Sequence, residues 1–193
     1  MAKVHLKDVR ISFANIFEAK QVQGQGDAKF SAAFLFPKTH SQKAEIERAI
    51  VDAAKEKWGE AKYQEVLKAL KAGDRLCVHD GDAKPGADGY AGNYFVNASN
   101  KMRPLVIGPD RAVLVAADGK PYSGCYVNAI IEVWAQDNQF GKRINASLLG
   151  VQFLRDGERL SGGGVAAADD FEAIPPAEGA KAEASGAGAA GLF

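Results

Sequence analysis

One uninterrupted alternation constrains this chain more than any other feature. From Gly124 to Gln136, Val127, Ala129, Ile131, Val133 and Ala135 take every second position, with Tyr126, Asn128, Ile130, Glu132, Trp134 and Gln136 between them. Side chains on a strand point alternately to opposite faces, so the pattern predicts a long β-strand. Its small apolar face turns inward, and its aromatic and amide face turns outward. The turn Asp137-Asn138-Gln139-Phe140-Gly141 predicts a hairpin that returns through Arg143 to Phe153.

The rest of the first 160 residues repeats this β character around one helical segment. Val9, Ile11 and Phe13 face one way while Arg10 and Ser12 face the other, and Phe30, Ala32, Phe34 and Phe36 repeat the period across a Gly24-Gln25-Gly26-Asp27 turn. These two runs predict an antiparallel hairpin. Pro37 ends it, and Thr39 or Ser41 is placed to cap a helix whose apolar set is Ile46, Ala49, Ile50, Ala53, Ala54 and Trp58, stopped by Gly59. Tyr63, Val66, Leu67 and Leu70 predict a second short helix, closed by Gly73. Further strands are expected at Leu76-Cys77-Val78, from Gly92 to Lys101 with a continuation through Arg103 to Ile107, and from Ala112 to Val115. Together these elements make a mainly β domain with a helical insertion, and the expected architecture is an OB-fold, a partly open five-stranded antiparallel barrel.

At Ser161 the composition changes. The segment 161–193 holds 11 Ala and 7 Gly, and its five acidic residues face Lys181 alone. Such a stretch cannot bury enough apolar surface to offset its own ordering, so a flexible acidic Ala/Gly-rich tail is expected after a domain spanning 1–160. That domain carries 23 basic against 19 acidic residues, so the neutral whole averages a mildly basic body and an acidic tail. A basic body with an acidic tail has a physical use, because the tail can occupy the body's own groove at high effective concentration.

Several classes of function find no support. No window holds the roughly 18 consecutive apolar residues of a membrane span, and the start lacks the apolar run of a signal peptide, which together predict a cytosolic protein. Cys77 and Cys125 have no metal-ligand spacing and are expected as buried free thiols. No phosphate loop, dinucleotide fingerprint or nucleophile elbow is present. His79, Asp80 and Asp82, with Cys77, are the one cluster with metal-ligating chemistry, and a metal-dependent nuclease centred there is one alternative. An Asp- and Gly-rich turn at the end of a strand accounts for the same residues, so neither metal nor cofactor is expected. A protein–protein interaction module is the other alternative.

The outward faces carry a different signal. Alternation through Tyr94 to Arg103 puts Phe95, Asn97, Ser99, Lys101 and Arg103 on one face and Tyr94, Val96 and Ala98 on the other. Tyr126 and Trp134 share a face with amides on the long strand, and the next turn adds Phe140, Lys142 and Arg143. Aromatic platforms beside cations suit single-stranded nucleic acid, since every base has a π-face and successive phosphates need charge. The expected stacking residues are Phe95, Tyr126, Trp134 and Phe140, with Tyr94 kept beside them although alternation turns it toward the core. Lys101, Arg103, Lys142 and Arg143 are expected at phosphates. RNA and DNA single strands are not separated by these residues.

The stretches Gly92 to Ala98, Arg103-Pro104, Tyr122 to Asn128 and Gly150 to Leu160 resemble the small single-stranded DNA-binding proteins encoded by tailed phages, over roughly residues 3 to 163. The resemblance implies an OB-fold protein that binds single-stranded DNA without sequence preference, serves replication and recombination in the host cytoplasm, and has neither a catalytic centre nor a cofactor. In related replication proteins an acidic C-terminal tail ending in an aromatic residue recruits polymerase or helicase and competes with DNA. Asp169, Asp170 and the final Phe193 match that element, although no acid lies within the last ten residues.

Overall fold

The computed structural model describes residues 2–22 and 25–160. Among these residues, seven strands and two α-helices follow one another in the order β1 (Ala2–Val22), β2 (Gln25–Pro37), α1 (Lys43–Trp58), α2 (Tyr63–Ala72), β3 (Val78–Asp80), β4 (Asn93–Asn100), β5 (Leu105–Ile107), β6 (Tyr126–Asn138) and β7 (Gly141–Arg155). They form one sheet in the order β3-β4-β2-β1-β6-β7-β5. The expectation of five strands is corrected to seven. The two beyond a five-stranded barrel are three-residue strands at the sheet's edges: β3 begins at the last residue of the strand expected at Leu76-Cys77-Val78, and β5 falls within the continuation expected through Arg103 to Ile107 but is a separate strand. One of them, β5, pairs parallel with β7, so the sheet is not wholly antiparallel. The expected strand from Ala112 to Val115 is reduced to a single bridge between Val113 and Ile107.

β1, not β6, is the longest strand, and it serves two partners. Its first half pairs with β6 and its second with β2, and the register slips between Leu6 and Val9 and again between Ser12 and Asn15. Asp8 and Phe13 sit at those slips with φ of 50° and 49°. Each extra residue bends the strand and re-aims the side chains after it. The second slip reverses the predicted direction of Phe13: Ile11 and Ile16 are buried while Phe13 turns out.

The apolar face of each strand meets one core. Val4, Leu6 and Ile11 of β1, Phe34 and Phe36 of β2, Val96 of β4, Val127 to Val133 of β6, and Ile144 to Leu148 of β7 pack there with Ile46, Ala49, Ala53 and Ala54 of α1 and Leu70 of α2. Each fully buried Leu, Ile or Phe side chain stabilises the fold by about 1.5–3 kcal/mol. Cys77 and Cys125 are both buried and reduced. α1 begins after Gln42, not at Thr39 or Ser41, and has no side-chain cap. The Gln42 side chain is committed to β1 instead, donating to the carbonyl of His5 and accepting the amide of Lys7, which pins the helix start to the sheet.

The sheet curls until strands that are not neighbours meet. The side-chain amide of Asn100, at the end of β4, donates to the carbonyl of Leu148 in β7 at 3.1 Å. The segment entering β3 also touches β7, where the amide of Ile144 donates to the carbonyl of Arg75 at 3.1 Å. These contacts draw the polar faces of β2, β4, β6 and β7 around a common hollow.

Candidate nucleic-acid interface

Cross-strand register builds the floor of that hollow from small and polar side chains. Ala33 lies opposite Asn97 and Ser31 opposite Ser99 on the β2–β4 ladder, and Trp134 lies opposite Asn145 and Gln136 opposite Arg143 on the β6–β7 ladder. With Phe13 and Asn15 from the β1 bulge, and Asp74, Arg75, His79 and Lys84 around β3, they line a cavity of about 850 Å³. Small floor residues leave room for flat groups to enter. The indole of Trp134 is half-buried and donates to the Ser147 hydroxyl at 3.0 Å, which fixes the ring's orientation and leaves a face toward the cavity.

The electrostatics are one-sided. Lys29, Arg75, Lys84, Lys101 and Arg143 line the cavity, and Asp74 is the sole carboxylate in its lining among the described residues. Asp74 lies 2.7 Å from Nδ1 of His79. Lys101 meets Asp27 at 2.5 Å in an exposed pair that holds the Asp27 carboxyl below the usual carboxylate range. Such surface pairs contribute little, so Lys101 can exchange Asp27 for a ligand's phosphate at small cost. Arg75 and Arg143 form no ion pair among the described residues.

The predicted site residues divide. Trp134, Lys101 and Arg143 come together in the cavity, with Asn97, Ser99 and Gln136 beside them. Phe95 is corrected to a buried position at 2% exposure, because β3 and the loop after it cover the ring: His79 of β3 stacks at 5.1 Å, and from the loop Tyr90 packs edge-on at 4.9 Å and the Lys84 ammonium lies 4.6 Å from the ring centre. Tyr126 stands at the opposite end of β6 from Trp134, about 25 Å away at strand spacing, with the Arg155 guanidinium 3.5 Å over its ring. Tyr94 packs on the core side against Phe36 under Lys38 and Lys43. Lys142 bonds to Asp137 at 2.7 Å beside the Trp58 ring and does not line the cavity. Phe140, at 76% exposure, caps the hairpin tip, and Arg103 is exposed beyond the end of β4. Asp169, Asp170 and Phe193 lie outside the described residues.

His79, Asp80 and Asp82 do not converge as a ligand set. The Lys38 ammonium bonds to Asp80 at 2.9 Å and to Asp82 at 2.6 Å, while His79 turns to Asp74. No group of three metal-ligating side chains occurs among the described residues.

The residues not foreseen are Phe13, Lys29, Arg75 and Lys84. One signal was available for Phe13: Ile11 and Ile16, both apolar, are an odd number of positions apart, and one face of a regular strand cannot hold both without a bulge between them. Arg75 and Lys84 sit in loops, where periodicity carries no information.

Residues 2–184 match the family model described as Enterobacter phage Enc34, ssDNA-binding protein. The chain is 46% identical over 178 residues to putative protein p50 of Acyrthosiphon pisum secondary endosymbiont phage 1, spanning 91% of this chain and 96% of that protein. Its fold is similar to the single-stranded DNA-binding protein of bacteriophage Enc34 solved in complex with ssDNA, with a TM-score of 0.71 and 30% identity over 82% of this chain and 89% of that one. It is also similar, in fold alone, to gp2.5, the single-stranded DNA-binding protein of bacteriophage T7, with a TM-score of 0.54 and 11% identity over 93% of this chain and 99% of that one. A family match over nearly its whole length means that this chain belongs to the Enc34 phage ssDNA-binding protein family.

Proposed function

We propose that this chain is a phage single-stranded DNA-binding protein that coats and protects exposed strands during replication and recombination in the host cytoplasm. The observation that carries the reading is the cavity itself, where the Trp134 ring and five cations share one polar hollow. Bases stack on the aromatic surface while Lys and Arg meet the backbone, so binding is neutral to sequence. Binding only the unpaired state shifts the duplex equilibrium by mass action and melts hairpins with no reaction catalysed and no cofactor consumed.

The domain responsible is residues 1–160, read as an OB-fold. In support, β1, β2, β4, β6 and β7 hold most of the core, and the approach of β4 to β7 draws them into a curled, partly open unit. β3 and β5 extend that five-stranded unit at its margins. The acidic residues 161–193, with Asp169, Asp170 and Phe193, serve as a tail that engages replication proteins.

Titration of the full chain with labelled oligo-dT and with a duplex of equal length tests the reading. Tighter binding to oligo-dT that weakens steeply with salt is expected. Equal affinity for both, or no affinity for oligo-dT at low salt, would remove it.

A further inference from the structure

Phe13 has no evident role in holding the fold. Its ring is 53% exposed, and its backbone sits at φ 49°, a left-handed conformation that a bulky residue adopts at a cost. Ile11 and Ile16 already fill the core on either side of the bulge. An apolar side chain kept on the surface in strained backbone calls for a ligand.

The rings beneath it identify the ligand's chemistry. Phe13 leans on Tyr90 at 6.4 Å, Tyr90 meets Phe95 edge-on at 4.9 Å, and Phe95 stacks with His79 at 5.1 Å. Tyr90 and Phe95 are buried, so the two inner rings form a rigid pedestal, while Phe13 and His79 at its ends both line the cavity. The Lys84 ammonium stands 5.3 Å from the Tyr90 ring and 4.6 Å from that of Phe95, and it too lines the cavity. A displayed aromatic face with a cation beside it is what one nucleotide needs, a platform for the base and a charge for its phosphate.

We propose that Phe13, supported by this pedestal, is a second base-stacking platform of the cavity, in addition to the one at Trp134. The inference deepens the single-stranded DNA reading above and rests on it. The bulge in β1 is then the device that delivers an aromatic ring to the outer face at a position where strand alternation would bury it.

Oligo-dT and an abasic oligomer of equal length, titrated against the full chain, test the platform. Phe13→Ala and Phe13→Leu should each lose about tenfold in affinity for oligo-dT, within the range expected for one stacked base. Phe13→Trp should restore it. The salt slope should not move, since every phosphate keeps its cation, and wild type and Phe13→Ala should bind the abasic oligomer alike. Phe13→Gly should match Phe13→Ala in affinity but melt higher, because glycine accepts positive φ. Unchanged oligo-dT affinity in Phe13→Ala, or an equal loss on the abasic oligomer, would overturn the platform and leave the wider reading standing. Failure of the wild type to bind oligo-dT would overturn the wider reading instead.

Discussion

The carbonyl of Arg75 accepts the amide of Ile144 at 3.1 Å, and the Arg75 guanidinium reaches back to the Gly141 backbone at the hairpin tip. One hydrogen bond thus fastens the segment between α2 and β3 to β7, and it brings two arginines, Arg75 and Arg143, to the same cavity. Neither guanidinium is in an ion pair among the described residues, and an anionic backbone supplies the missing partner.

Arg75→Ala and Arg143→Ala should therefore each flatten the salt dependence of oligo-dT binding. For single strands the log–log slope changes by roughly 0.7 for each phosphate that is no longer neutralised. Lys142→Ala provides the contrast, because that ammonium is bonded to Asp137 and lies outside the cavity. Its slope should equal that of the wild type. Indistinguishable slopes for all three variants would mean that the cavity is not where the backbone runs.

The two tryptophans make the same cavity visible in fluorescence. Trp134 faces it, while the indole of Trp58 is held by Asp137 at 2.8 Å on the helical side. Quenching by oligo-dT should persist in Trp58→Phe and vanish in Trp134→Phe, and Trp134→Ala should cost about 1–3 kcal/mol of binding. Trp58→Phe should lower stability by about 1 kcal/mol through removal of the hydrogen bond, with affinity unchanged. Quenching that tracks Trp58 would place the strand on the other side of the sheet.

How much of this was legible in the sequence depended on periodicity. β6 alternates along its buried length and β7 does so until its register slips beside Gly150, and Trp134 and Arg143 are where that period puts them. Phe95 obeys the same alternation and does point outward from the core face of β4. Burial came from elsewhere, since the loop after β3 lays Tyr90 on top of it. No local pattern announces such a lid. Tyr126 shares a face with Trp134, but they stand eight positions apart on the strand, and face alone says nothing of position along the strand. Phe13 was misplaced by the bulge, and the two short edge strands lack the length to show any period.

Acid sensitivity should trace in part to Lys38. Its ammonium bonds to both Asp80 and Asp82 and is itself pushed up by them. Asp80 is held below its ordinary 3.8 chiefly by Lys38, and Asp82 chiefly by the amide of Gly92, with Lys38 second. A carboxyl with a lowered folded value stabilises fully above its unfolded value, and that contribution disappears as pH falls through the folded one. All three groups are solvent-facing, so the effect is modest. Urea midpoints measured downward from about pH 5 should fall less steeply in Lys38→Met than in the wild type below the ordinary carboxylate value. Parallel curves would show that the trio does not couple to folding.

Gly81 is the position where a single methyl group should undo the lid over Phe95. A Cβ built there would lie 2.0 Å from the carbonyl oxygen of Tyr90 and 2.7 Å from that of Asn93, and both obstacles are backbone, which cannot rotate aside. The turn is fixed around it, with Asp80 accepting the amide of Asp82 at 3.0 Å and Asp82 accepting that of Gly92 at 2.7 Å. Gly81→Ala must therefore push Tyr90 away from Phe95, at about 1–3 kcal/mol for forced overpacking. Gly86, in the same loop at φ 84°, has open space where its Cβ would go, so Gly86→Ala bears only the cost of a left-handed alanine, about 1–2 kcal/mol. Urea unfolding reads both penalties, and near-ultraviolet circular dichroism reads the aromatic packing. The packing signal should change in Gly81→Ala and stay native in Gly86→Ala. A native aromatic spectrum in Gly81→Ala would mean that the loop yields without disturbing the Tyr90–Phe95 contact, and the lid would then be a softer structure than its hydrogen bonds imply.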